Sequence, residues 1–439
     1  MPDNLFQLYF KYIGLSEAPL TFHRWSLIGV LSALLARSIS IPFGHSQIYP
    51  NQYVILTGGP GSRKGTAIRA AIQLIRGTGY DHFAPNRAAK EALWAKMAKA
   101  YHKALAEDET LLLSQGLVDD LGILSEMFIA QDEFIDFVGV GNDELVINLT
   151  NLWDNLDKFD NPRTTKSDIA IPNPTINILS GSAPGLISAA FSGLALSGGF
   201  FSRVIFVYGG YTSAKVTWPA MPDPALGKEL TARLSLIRNL KGTLKLSQPV
   251  RDFLDSLYKG FPGVPDRRFN YYGQRRFTHL LKLLLVCTAS RGSLDCTVED
   301  CLLANTVLHL AELRMPHALG EYGKSRHSDV ANTIMDIIKD SDRPIGVKDL
   351  WKQISKDLDK METLAELLAN LMAAGRVQQV RDKSGGPGRL VGYLPVLEVS
   401  TGWAEEFLDY SLVEPSEHPA ALVDSTGVWD NYLDDDTTL

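Results

Sequence analysis

Cysteine is scarce: Cys287, Cys296 and Cys301 are the only three in 439 residues, and no Cys-x-x-Cys spacing occurs. That excludes a disulfide framework, gives no zinc-site signature, and points to a reducing, cytoplasmic compartment. Long apolar runs are also missing. The nearest, Trp25 to Ala36, is about a dozen residues and stops at Arg37, short of the ~18 a membrane span needs. The opening Met1-Pro2-Asp3-Asn4 lacks the basic start of a signal peptide, so no membrane partner is expected. Residues 397–439 contain no Lys or Arg but eleven acids. The 43 basic residues therefore face 39 acids over residues 1–396, a balance of +4 there against −7 overall. Bulk acidity says nothing against a nucleic-acid partner, because the relevant field is local. With 45% hydrophobic and 21% charged residues, disordered, collagenous and coiled-coil classes are excluded, and the length suits two to three domains.

Tyr53–Thr57, Met127–Ala130, Thr175–Ser180 and Val204–Tyr208 are short apolar runs that read as buried strands. Helical patterns at 22–37, 66–76, 86–107 and 144–156 alternate with them, which predicts an α/β core with a parallel sheet. The expected division is an N-terminal helical segment (1–47), the α/β core (48–222), a helical lid (223–324), a three-helix unit with a hairpin (325–396), and an acidic, disordered tail (397–439). Three helices followed by a hairpin is the winged variant of the helix-turn-helix.

Gly58-Gly59-Pro60-Gly61-Ser62-Arg63-Lys64-Gly65-Thr66 lies between the strand at 53–57 and the helix at 66–76. In that context a glycine-rich segment cradles phosphate: loop amides and the helix N-terminus bind anionic oxygens, and Lys64 supplies a mobile positive charge. Arg63 stands where a second glycine is usual. Gly65 stands where a magnesium-binding hydroxyl is usual, and Thr66 offers one a position later. Asp132 and Glu133 follow the second strand. In a parallel sheet they would lie beside the loop, Asp132 holding Mg²⁺ with Thr66 and Glu133 polarising the attacking water.

These residues carry a resemblance. Gly58 to Lys64 resembles the phosphate loop of the minichromosome-maintenance (MCM) AAA+ helicases, which also lack the second glycine. Asp132-Glu133-Phe134 is similar to that family's Walker B segment. Ile178 to Pro184 is similar to its sensor-1 strand, although the asparagine position falls on Ala183, which leaves the role to Ser182. Ser202-Arg203, after Gly198-Gly199-Phe200-Phe201, is similar to its arginine-finger segment. Arg276 to Leu283 loosely resembles its sensor-2 helix, with Arg275 competing for the role. The resemblance spans about residues 50–390, and the helicase-like ATPases of phages and mobile elements are the subgroup it fits best. It implies an AAA+ P-loop NTPase core with a parallel sheet, helical lid and C-terminal winged helix. It also implies ATP and Mg²⁺ as cofactors and a homo-oligomeric ring, a hexamer, in which Arg203 acts on the neighbouring subunit's nucleotide. The family's N-terminal oligonucleotide-binding and zinc modules have no counterpart in the roughly 50 residues before the loop.

The resemblance also makes residues 158–172 a hairpin reaching into a central channel, with Arg163 and Lys166 as phosphate contacts for single-stranded DNA; a polar surface loop is the plainer alternative. Such contacts bind without base specificity. In the winged unit the third helix is acidic, while Lys348, Lys352, Lys356 and Lys360 form a basic row. Weak, non-specific DNA binding or protein docking is expected there. Acids interleaved with Trp429 and Tyr432 make the tail a candidate to dock on a protein partner. The functional expectation is an ATP-driven DNA motor of helicase type acting in replication. The alternative is an ATP-switched helicase loader or initiator that remodels a partner without unwinding DNA alone.

Overall fold

Residues Tyr53–Thr57 form a strand that is buried throughout and flanked by two parallel neighbours, and the phosphate-binding candidate follows directly from it. The computed structural model describes residues 4–85, 93–98, 125–155, 158–161, 169–190, 199–210, 212, 214–264, 266–319, 326–339, 341, 343–358, 360–373, 377–382, 389–395 and 403–418. The chain divides into two units, one of residues 1–320 with 403–413 and one of residues 321–402 with 414–439.

In the first unit, helices α1 (Leu5–Ile13) and α2 (Leu20–Leu35) are followed by strands β1 (Ile39–Phe43), β2 (Ser46–Ile48) and β3 (Tyr53–Thr57), then helix α3 (Lys64–Gly77). Next come β4 (Ser125–Gln131), the short helix α4 (Phe134–Val138), α5 (Asp143–Leu152), β5 (Lys158–Asn161), β6 (Ile169–Pro172), β7 (Pro174–Ser182), α6 (Pro184–Ala190) and β8 (Val204–Tyr208). The central sheet has the order β4-β7-β3-β8, all parallel. The fold is thus mixed α/β around a four-stranded parallel sheet. Phe83 adds an isolated parallel bridge to Phe128 on the outer side of β4.

Helix α2 is buried from Phe22 to Leu35, polar His23, Arg24, Ser26 and Ser32 included, and its run of Trp25, Leu27, Ile28, Val30 and Leu31 is core. Gly29 lets it lie close on β7, since a Cβ there would sit 3.3 Å from that of Leu179. Each such fully buried side chain contributes about 1.5–3 kcal/mol. The helix expected over 22–37 therefore starts and ends two residues earlier, after Pro19. Of the helix expected over 86–107, residues 93–98 are helical and bury Leu93, Trp94 and Met97; the remainder lies outside the described residues.

Four helices follow: α7 (Pro224–Arg238), α8 (Gln248–Lys259), α9 (Asn270–Ser290) and α10 (Val298–Ala318). They match the helical lid in position but share one unit with residues 1–222. β1 pairs in parallel with β9 (Gly242–Thr243), so the N-terminal segment is stitched into the lid. The tail expectation needs correction over residues 403–418, which fold into three short 3-10 turns. Trp403, Phe407 and Val413 are buried, Asn305 Nδ2 donates to the Phe407 carbonyl at 2.7 Å, and Asp409 N donates to Thr306 Oγ1 at 3.0 Å. Within residues 403–413, acids alternate with apolar groups, and Phe407 packs on Phe253 of α8. Residues 419–439 lie outside the described residues.

In the second unit, α11 (Arg326–Lys339), α12 (Val347–Ile354) and α13 (Met361–Ala373) enclose a small core of Ile334, Ile338, Leu350, Ile354, Leu364 and Leu368. Strands β10 (Val377–Asp382) and β11 (Arg389–Pro395) pair antiparallel against it, with Ile345 bridging to Tyr393. Among the described residues no helix is long and apolar enough to cross a membrane.

Candidate functional site

Because the four core strands run parallel, their carboxyl ends share one edge. Thr57 is level with Ser182 on one side and Tyr208 on the other, and Gln131 is level with Ser180. The glycine-bearing turn, Ser182 and the pair Asp132-Glu133 therefore emerge together, with β7 between the other two. That edge is where open α/β sheets bind ligands.

The turn is shaped by close packing. A Cβ on Gly58 would lie 2.5 Å from the Gly209 carbonyl and 2.6 Å from Ser62 Oγ, so only glycine fits. Arg63, at the entry to α3, has φ of 63°. Lys64 Nζ folds over the turn, donating to the carbonyls of Gly58 at 2.8 Å and Gly59 at 3.1 Å and to Ser62 Oγ at 3.3 Å. Half-burial pushes its pKa down, and the nearby Glu133 carboxylate opposes that. Helix α3 begins at Lys64 with no acid of its own in the first turn; the nearby carboxylates come from Asp132 and Glu133 after β4.

Gly181 reports how tightly the parts meet: a Cβ there would lie 2.4 Å from the Asp132 carbonyl and 3.4 Å from Lys64 Cβ. A Cβ on Gly65 would lie 3.0 Å from Asp132 Oδ1. Asp132 itself is ion-paired to Arg69, one turn along α3. Glu133 is half-buried, and burial raises its pKa. The Ser182 hydroxyl and then the Lys64 ammonium pull it back, while Asp136 adds to the rise. Among the described residues nothing hydrogen-bonds its buried Oε1. A groove of about 890 Å³ opens beside these acids, lined by Arg69, Gln73, Arg76, Gln131, Asp132 and Glu133. The structure thus brings together Gly58, Gly59, Pro60, Gly61, Ser62, Arg63, Lys64, Gly65, Thr66, Asp132, Glu133 and Ser182. The donor set of a carboxylate at Asp132 and an exposed hydroxyl at Thr66 is all oxygen, which suits magnesium. The space beside Gly65 is taken by the Arg69 guanidinium on the Asp132 carboxylate, so a cation at Asp132 would displace that ion pair.

Arg203 lies elsewhere. It directly precedes β8, whose Val204 is level with Tyr53, so a full five-residue strand, about 16 Å, separates it from the turn of its own chain. Its Nη2 pairs with Asp154 Oδ2 at 2.5 Å and its Nη1 donates to the Gly199 carbonyl at 3.1 Å. The other Asp154 oxygen takes Arg275 Nη1 at 3.1 Å. Both guanidinium groups lie near the Trp153 ring. His279 Nε2 donates to the Ser202 carbonyl at 2.9 Å and pins this turn to α9. Burial lowers the His279 pKa to about 3, so the ring is neutral.

Arg276 corrects the sensor-2 expectation. Its guanidinium is buried, bonded to Glu312 Oε1 at 2.9 Å and Asn305 Oδ1 at 2.7 Å, and held between the rings of Phe261 and Trp403 at 4.7 and 4.8 Å. It has no free face for a phosphate, whereas its neighbour Arg275 is a third exposed. Arg163 and Lys166 lie outside the described residues. The flanking β5 and β6 pair antiparallel from Lys158–Pro172 to Asn161–Ile169, so the base of the expected hairpin is present. Sequence reading missed Arg69, Asp154 and Glu17, none of which belongs to a local motif. No protein-family model matches the chain, and no curated protein matches it either.

Proposed function

We propose that this chain is an ATPase of the AAA+ type, resembling the MCM-like helicases, that works as a ring on DNA. The observation that carries the reading is the meeting of the glycine-bearing turn, Lys64, Asp132, Glu133 and Ser182 at one carboxyl edge of a parallel sheet. Lys64 and the amides at the start of α3 bind the β- and γ-phosphates. Asp132 and Thr66 would hold magnesium, with Arg69 moving off the carboxylate, and the metal would supply charge neutralisation for the phosphates. Glu133 takes a proton from the attacking water through Oε1, with Ser182 orienting that carboxylate. The resemblance gives Arg203 the arginine-finger role toward a neighbouring subunit's nucleotide; it stands at the amino end of β8, paired with Asp154 beside the more exposed Arg275. The resemblance to the MCM-like helicases supports a ring of identical subunits, a hexamer, and the scarcity of cysteine supports a cytoplasmic setting. The β5–β6 hairpin, carrying Arg163 and Lys166, contacts DNA in the channel, and the second unit serves as a winged helix.

ATP hydrolysis measured with and without single-stranded DNA, alongside the mass of the assembly with ATP, tests the proposal. DNA-stimulated turnover by a ring-sized species is expected, and a protein indifferent to ATP and magnesium would overturn it. A forked-DNA strand-displacement assay separates a motor from a loader: hydrolysis without unwinding would assign the loader role.

A further inference from the structure

Between α1 and α2 the chain makes a tight connection. Ser16 fixes it, its hydroxyl bonding His23 Nε2 at 2.9 Å and accepting the Ala18 N–H at 3.1 Å. Glu17 sits on this connection, and its two carboxylate oxygens have separate partners. Oε2 accepts from Arg63 Nε at 2.7 Å, with Arg63 Nη2 as a second contact. Oε1 accepts the Val216 N–H at 2.9 Å, and the Glu17 carbonyl accepts from Thr212 Oγ1 at 2.8 Å. Thr212 and Val216 belong to the connection that leaves β8 at the same sheet edge. Three segments distant in sequence thus meet on one side chain. Arg63 is the residue that turns the phosphate segment into α3, and its φ of 63° is a conformation that glycine adopts without strain. A non-glycine residue keeps it only where its surroundings hold it. The Val216 N–H, then the Arg63 guanidinium, keep the Glu17 carboxyl below the usual glutamate range, so it is ionised at neutral pH.

We propose that Glu17 is a positioning residue for the phosphate-binding turn: it holds Arg63 in its left-handed turn and ties that turn to the connections after α1 and after β8. The role rests on the nucleotide reading above for its purpose, but the tie itself is independent of nucleotide. Its chemistry is an ion pair plus a charge-assisted amide hydrogen bond, both of which need the carboxylate.

Amide hydrogen exchange over residues 58–66 and 210–217, and binding of a fluorescent ATP analogue with magnesium, test it on the full chain. Glu17→Gln is expected to speed exchange in both segments about tenfold and weaken the analogue to a similar degree, while β3 exchanges as before. Arg63→Gly, which suits the left-handed φ, is expected to make residues 58–66 indifferent to a further Glu17→Gln change. Wild-type exchange in Glu17→Gln, or a full additional effect in the double variant, would overturn the proposal. If circular dichroism shows Glu17→Gln unfolded, Arg63→Ala cuts the same pair from its exposed side. The same loosening of 58–66 is then expected, and unaltered exchange refutes the role. Failure of the wild type to bind the analogue would instead refute the nucleotide reading, with exchange still deciding the tie.

Discussion

Position 65 and Asp132 are in direct packing contact: a Cβ on Gly65 would sit 3.0 Å from Asp132 Oδ1 and 2.9 Å from Arg69 Nη1. The place where a hydroxyl is usual in phosphate loops is therefore one where the acid packs against the turn. Glycine there leaves room for Arg69 to reach the carboxylate. Gly65→Ser is expected to push Arg69 aside and put an oxygen beside Asp132. On the reading that Asp132 holds magnesium, the concentration needed for half-maximal nucleotide binding falls, by about two- to tenfold for one added oxygen ligand. A magnesium titration of analogue binding measures this; an unchanged midpoint would separate position 65 from the metal locus.

Glu133 and Lys64 make a second prediction. Lys64→Ala is expected to abolish nucleotide binding, and Glu133→Gln to keep binding but lower turnover by about 10²–10⁴. Burial raises the Glu133 pKa. A general base must be ionised, so the ascending limb of the pH–rate profile is expected above the ordinary glutamate range, not at it. For stability the sign is reversed: the folded state holds this proton more tightly than the unfolded chain. The contribution therefore falls as pH rises from the unfolded glutamate value through the folded one. Wild-type turnover in Glu133→Gln would remove Glu133 from the base role.

Much of this edge was legible in the sequence because its signals are local. Tyr53–Thr57 and Met127–Ala130 are apolar runs that end in glycines and in acids, and such runs fold as buried parallel strands. What was not legible depends on distant partners. Arg275 and Arg276 are adjacent, and on a helix adjacent residues point about 100° apart. One faces Glu312 and the core while the other faces Asp154 beside Arg203, at the amino end of β8, and no pattern in the sequence says which. Residues 403–413 were hidden by composition, because the acids around Trp403 and Phe407 outweigh them in any average over the tail. Glu17 acts on a residue 46 positions away.

The two arginines give a third prediction, because their surroundings are opposite. Arg276→Ala leaves Glu312 buried without its cation and opens a gap under Trp403, so a loss of about 3–5 kcal/mol is expected, read as a large drop in melting temperature. Arg275→Ala removes a partly exposed contact and is expected to change stability by about 1 kcal/mol or less. In the ring reading, Arg275→Ala and Arg203→Ala both lower ATP turnover, and mixing either with Lys64→Ala protein restores part of it, since the defects lie on opposite sides of an interface. A stability profile with the two arginines exchanged would refute the assignment.

Lys282 supplies the last prediction. Its ammonium is fully enclosed, donating to Asn51 Oδ1, to the Tyr49 carbonyl at 3.2 Å and to the Trp153 carbonyl at 3.4 Å, with the Trp153 ring 4.4 Å away. Burial pushes its pKa down to about 7, against partial support from Asp154 and a further lowering by Arg37. The unfolded chain holds this proton up to about pH 10.4. Between about pH 7 and 10 the unfolded state therefore binds more protons, and unfolding free energy gains up to about 1.4 kcal/mol per pH unit from this group. Below pH 7 its penalty is complete and flat. Urea melts from pH 6 to 9 are expected to show that rise in the wild type and to lose it in Lys282→Met, whose unbranched chain fills the same space. Equal slopes in the two proteins would mean that Lys282 stays charged through the window, held by its three oxygen partners and the indole face.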